Sequence, residues 1–325
     1  MEYTKPHLNY NQQVQLLAAR GLDVSACEAT VRALKRVGYY RLSAYTYPLR
    51  RRSEDGVGRS KEFVDGASLD DALSLCDFDD RLRTTLLSGL QRLEVAMRVQ
   101  MGYQLGKTHP FGHLDRQHLD ETRCAVPMRP GRDADDGIDA HGSWLRRYEQ
   151  LQGEAKTEDY VKHFILNYES QIPIWAATEF MTFGCLTALY DLLNDRDAKA
   201  IARNLEVQNR DVVHGWLRAL NVLRNHAAHN ARIWNRATVY PPKRPKASFL
   251  PPRLAHLSAA DNNRVYFVAA ICAHFLIALD PGTDWPRQFV TTMRKFKPVH
   301  GMTPENTMGF PTGWETLDIW RHQPV

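Results

Sequence analysis

An arginine, an asparagine and two histidines fall within six consecutive positions, Arg224 to His229, in the stretch VLRNHAAHNARIWNR. Arginine carries a permanent, forked positive charge that matches phosphate oxygens. Histidine, with an unperturbed pKa of about 6.5, takes or gives a proton near neutral pH. The pair suits cleavage of RNA through its own 2′-hydroxyl. A base removes the 2′-OH proton, the oxygen attacks the adjacent phosphorus, and the guanidinium stabilises charge gathering on the phosphoryl oxygens. The nucleophile is already held beside the phosphorus, so the step needs no metal. In this scheme His229 is the general base or acid and Arg224 grips the phosphoryl group. Asn225 orients the imidazole or donates to a phosphate oxygen. The same residues also read as a metal site or as a polar helix end facing water.

The metal reading is poorly supplied. His226 and His229 have the i, i+3 spacing of two ligands on a helix, but no adjacent Cys, Asp or Glu completes a zinc shell. His226 therefore reads as a neighbour of the site or a surface residue. His109, His113 and His118, with Asp115, recur in THPFGHLDRQHLDE, where an exposed polar loop is the default. No metal and no cofactor is expected. A second Arg-to-His spacing, Arg294 to His300, is interrupted by Pro298 and is taken as coincidence.

Other residues carry two readings each. Glu94 and Arg98 are an i, i+4 pair, either an ordinary helix salt bridge or a support that positions an arginine or His229. Glu179 is a similar case, and its neighbours Trp175 and Phe180 read as core. Arg232, Asn235 and Arg236 lie just past the motif, where they would either touch substrate phosphates or cap the helix end. Tyr39, Tyr40, Arg41 and Tyr45 in GYYRLSAY suit stacking on unpaired bases, although tyrosines in a helical module more commonly pack half-buried.

These groups need elements to position them. Arg224 and His229, five residues apart, are separated by about 140° around an ideal helix. Their side chains must meet at a distorted helix end or across a dimer axis. The chain reads as all-α. Amphipathic helices are expected over 10–19 and 26–37, then an aromatic and basic segment ending in a turn at SEDGVGRS. From Ser68, a candidate N-cap, a long helical pattern runs to about Gly106, its apolar face made by Leu82, Leu86, Leu90, Leu93 and Met97. Residues 107–142 lack periodicity and read as an irregular insertion. Helices are expected again over 143–168, 174–193, 195–204, 209–230, 263–279 and 284–296, with an irregular tail after them. No alternation is strong enough to claim a sheet, and no internal repeat stands out. The expected organisation is an N-terminal helical module (1–62), a helical domain (63–296) and a C-terminal tail packed on the bundle (297–325).

Composition sets bounds on function. The 325 residues carry a net charge of +5, compatible with a polyanionic partner but not proof of one. Basic residues cluster at Arg50–Arg52 and at Lys243, Arg244 and Lys246, where a solvated surface is the simplest account. No apolar run approaches the roughly 18 residues needed to cross a bilayer, and the N-terminus lacks a secretory pattern. The five scattered cysteines form no CxxC pair, which points to reduced thiols in the cytoplasm.

Around the motif the sequence resembles the Abi-like proteins, the AbiD/AbiF-type abortive-infection family of the HEPN ribonuclease superfamily. QVQLLAARGL followed by LKRVGYYRLSAYTYPL is similar to that family's opening module. LQRLEVAMR is similar to its long helix, IPIWAATEFMTFGCLTALY to the stretch before its catalytic helix, and MGFPTGWETLDIW to its C-terminal signature. The family's motif, Arg, a polar residue, three variable residues and His, falls on Arg224, Asn225 and His229. The resemblance implies a HEPN-type helical bundle and metal-independent endoribonuclease activity, with a composite site formed in a homodimer. It also implies a role in phage defence or as a toxin, and some AbiF-like members are paired with a small structured RNA. The alternatives are a protein that holds a structured RNA without cutting it, and a purely structural dimerisation bundle.

Overall fold

In the computed structural model the chain is mostly helical, and it describes Glu2, Thr4 and residues 6–24, 27–128 and 138–324. Residue 26, where the second expected helix was to begin, residues 129–137 of the expected insertion, Val325 and the Cys27 side chain lie outside the described residues. Helices α1 (Tyr10–Ala19), α2 (Cys27–Val37) and α3 (Tyr39–Thr46) come first, followed by strands β1 (Arg50–Arg52) and β2 (Arg59–Phe63). The long helix α4 (Leu69–Gly106) is next, then α5 (Glu121–Cys124), α6 (Ala140–Glu154), α7 (Asp159–Asn167) and α8 (Ile174–Ala177). After these come α9 (Phe183–Leu192), α10 (Asp195–Asn204), α11 (Arg210–Ala228), α12 (Val265–Leu279), α13 (Trp285–Met293) and α14 (Pro304–Met308).

Helix α4 is the axis of the molecule. Its start is fixed by a capping box, in which the Ser68 hydroxyl accepts from the Asp71 amide and the Asp71 carboxylate accepts from the Ser68 amide. Leu75, Leu82, Leu86, Leu90, Leu93, Met97 and Met101 follow at spacings of three, four or seven and are fully or almost fully buried. Helices α3, α8, α9, α10, α11, α12 and α13 all pack against α4. Helix α12 is buried on every face from Val265 to Ile277, as an all-round apolar sequence demands. Gly102 admits the close approach of α8, since a β-carbon there would lie 3.0 Å from the Trp175 Cα.

Several boundaries differ from the sequence expectation. A two-stranded antiparallel sheet forms where no sheet was expected, pairing Arg50 with Phe63 and Arg52 with Arg59. Its strands are too short and too charged to show alternation, and Gly56 and Gly58, both at positive φ, close its turn. The expected helix over 143–168 is two helices, because the chain turns at Ala155 and restarts at Asp159. The expected helix over 174–193 is also two, since the Thr182 hydroxyl accepts from the Cys185 amide and caps a new start. The segment 107–142 is not wholly irregular: it holds α5 and the start of α6, and the Asp120 amide donates to the Leu192 carbonyl at 2.9 Å. The GYYRLSAY segment is helix α3. In the tail, Trp320 stacks on Phe289 of α13 at 4.8 Å and donates to the Tyr266 hydroxyl of α12.

Candidate functional site

Helix α11 delivers the motif. Asn209 caps its start, accepting from the Asp211 and Val212 amides, and its apolar face, Val213, Trp216, Leu217, Leu220 and Leu223, seats it in the bundle. That seating turns Arg224 toward α4, where its Nε donates to Glu94 Oε2 at 3.2 Å. The other oxygen of Glu94 accepts from Arg98 at 3.2 Å. Arg98 also donates to the Met181 carbonyl at 3.1 Å and lies 3.6 Å from Glu179. Glu179, Arg98, Glu94 and Arg224 thus form a ladder of alternating charge between α4, α11 and the α8–α9 connection. Glu94 is 5% exposed, so it holds two guanidinium groups from a nearly dry position. Arg224 Nη1 lies 3.4 Å from Asn225 Oδ1, and Nη2 has no protein partner among the described residues. That edge of the fork is available to an anion.

His229 ends the helix. Its amide bonds back to the Asn225 carbonyl, and Asn230 follows at φ 54 in the left-handed region. The Asn230 amide donates to the Ala227 carbonyl at 3.2 Å and the Ala231 amide to the His226 carbonyl at 2.9 Å. This is a Schellman closure with asparagine in the place that glycine usually takes. The His229 side chain is exposed and makes no hydrogen bond or ion pair among the described residues. Arg224 and His229 are therefore carried on the same helix end with no hydrogen bond joining their side chains. His226 points elsewhere, sharing a small pocket with Arg236, Leu223 and Ile233. Burial holds the His226 pKa below the usual histidine value, and the nearby Arg236 charge lowers it further.

The other sequence candidates separate. Tyr40 is 80% exposed on α3, its ring edge-on to Tyr39. Arg41 instead donates to the Asn230 carbonyl at 2.6 Å, and Arg232 to the Ala44 carbonyl at 2.8 Å. Burial lowers the Arg232 pKa. Asn235 sits half-buried at φ 50. Trp175, read as core, is 54% exposed, although Gly102 and Gly106 let it lie close against α4. His113 is fully buried beside Trp144 and Tyr148 rather than in an exposed loop, and burial pushes its pKa down to about 3. His109 stacks on His118 at 4.6 Å. Among the described residues no three His, Cys, Asp or Glu side chains gather as a metal-ligand set.

One residue that holds the site together was not singled out from the sequence. Asp79 on α4 is fully buried and accepts from four donors. These are the Tyr45 hydroxyl at 2.7 Å, Arg83 at 2.7 Å, and the Ile233 and Trp234 amides at 3.1 and 2.7 Å. It thereby anchors the segment just past the motif. Its signal was present: Asp79 and Arg83 are four apart on the same side of α4 as Leu75, Leu82 and Leu86, where charges are not expected.

A model of the Abi-like protein family matches residues 32–235, more than half of the chain. The chain belongs to the Abi-like proteins. The match spans α3, the Glu94–Arg98 segment and the whole of α11 with its closing turn, so the Abi-like family takes in both the motif and the α4 face that holds it. No curated protein and no solved structure gives a significant match. No helix among the described residues is long and apolar enough to cross a membrane.

Proposed function

We propose that this Abi-like protein is a HEPN-type, metal-independent endoribonuclease of the AbiD/AbiF kind that cuts RNA by 2′-OH attack. The observation that carries this reading is the Glu94–Arg224 contact at 3.2 Å, which fixes a guanidinium five residues before an exposed histidine. Arg224 receives the phosphoryl oxygens with its open edge, Asn225 orients, and His229 moves the proton. Because no hydrogen bond joins His229 to Arg224 within one chain, the reading includes a homodimer in which two motifs face each other. The biological role that goes with it is antiphage abortive infection, or a toxin restrained by a small structured RNA, in the cytoplasm.

The test is the end chemistry of RNA incubated with pure protein in EDTA. Ends carrying 2′,3′-cyclic phosphate and 5′-hydroxyl, lost in Arg224→Ala and in His229→Ala, are expected. The absence of a described contact between Arg224 and His229 favours one rival, an RNA-binding protein that grips a structured RNA without cutting it. Retained RNA binding with no cleavage would establish that rival.

A further inference from the structure

The turn that carries His229 is held by residues of α3 and α4, outside its own helix. Arg41 on α3 spans two groups, its Nη1 on the Asn230 carbonyl at 2.6 Å and its Nη2 near Asp80 of α4 at 3.5 Å. Two residues past Asn230, Arg232 donates back to the Ala44 carbonyl in the same helix α3, at 2.8 Å. Asp79 then takes the Ile233 and Trp234 amides while it also binds Tyr45 of α3, whose ring stacks on Trp234. Every tether runs to a residue after His229, and none reaches its imidazole. A polar groove of about 550 Å³, lined by Arg41, Asp80, Arg83, Thr84 and Asn230, opens along this seam.

We propose that Arg41 is a positioning residue for His229, acting through the Asn230 carbonyl. This rests on the reading of His229 as the group that moves the proton. Asparagine at φ 54 occupies a conformation that costs a side-chain-bearing residue energy, so the turn depends on what closes it. A charged donor on a carbonyl is a stronger closure than a neutral one. Without it the last turn of α11 can unwind and carry the imidazole away from the phosphoryl group. Arg224 stays in place, because Glu94 holds it five residues earlier. Arg41 therefore sets the rate of the chemical step and leaves RNA affinity alone.

The experiment compares Arg41→Ala and Arg41→Lys in the full-length protein on a single-stranded RNA oligonucleotide in EDTA. In Arg41→Ala kcat should fall on the order of 10- to 100-fold, as a displaced catalytic group does, with KM and its salt dependence unchanged. Arg41→Lys should recover part of kcat, since an ammonium still donates to the carbonyl. Amide exchange at Asn230 and Ala231 should rise in Arg41→Ala while the middle of α11 stays protected. A higher KM with unchanged kcat and a shallower salt dependence would make Arg41 an RNA contact and overturn the proposal. Unchanged exchange at Asn230 and Ala231 would overturn it as well. If the wild-type protein cuts no RNA, the ribonuclease reading fails on its own. The His229 imidazole NMR signal then decides: a shift or splitting in Arg41→Ala supports positioning, and an unchanged signal sinks it.

Discussion

Two carboxylates on α4, Asp79 and Glu94, hold the two halves of the motif region, and they do so in opposite ways. Both are buried, and both bind a guanidinium. Asp79 is saturated by donors from α3, α4 and the backbone after α11. Its four donors come from three segments, which it joins. Glu94 takes one donor from each of two arginines and leaves part of Arg224 open. A saturated buried carboxylate knits segments together, whereas one that fixes an incompletely used guanidinium presents charge. The same residue chemistry, about fifteen residues apart on one helix and so about four turns, serves architecture at one end and a candidate site at the other.

The largest expected effect breaks the architectural half. Asp79→Ala strands two buried amides and deprives Arg83 of one partner, which should cost about 3–5 kcal/mol of stability. Urea unfolding measures it, and a loss under ~1 kcal/mol would show that water or Asp80 takes over. Next comes Arg224→Ala, which should lower the cleavage rate on the order of 10²- to 10³-fold while unfolding changes little, because Glu94 keeps Arg98. If unfolding shifts as far as in Asp79→Ala, the contrast between the two carboxylates collapses. Glu94→Gln removes the charge but keeps an acceptor, and about a tenfold drop in kcat is expected with RNA binding intact. A drop in binding instead would mean that Glu94 acts on the RNA path. The smallest effect belongs to Tyr40→Ala, where losing one stacked base should weaken single-strand RNA binding by ~1 kcal/mol without altering kcat. Filter binding at fixed salt reads this, and no change would return Tyr40 to packing against Tyr39.

Much of this layout was legible before the structure. The Ser68 cap and the Leu82–Met97 stripe announce α4, because a periodic apolar face and its cap are local in sequence. The helix expected over 209–230 likewise announces the motif helix. The support role open to Glu94 was visible in its spacing from Arg98, but its bond to Arg224 was not, since 130 residues separate them. Arg41 and Arg232 read as candidate RNA contacts in sequence, where their carbonyl partners, 189 and 188 residues away, are invisible. Trp175 reads as core in sequence, but which face of its helix is covered is decided only by packing.

The sequence by itself therefore determined the long helices α4 and α11, the position of the Arg–Asn–His motif at the end of the second, and the Abi-like affiliation. These follow from periodicity, capping and ordered motifs, all of which act over a few residues. The tertiary structure decided which charges are spent and which remain. Whether a guanidinium is free to meet a phosphate depends on the carboxylates and carbonyls brought to it from distant segments, and burial of those partners is a property of the packed bundle alone.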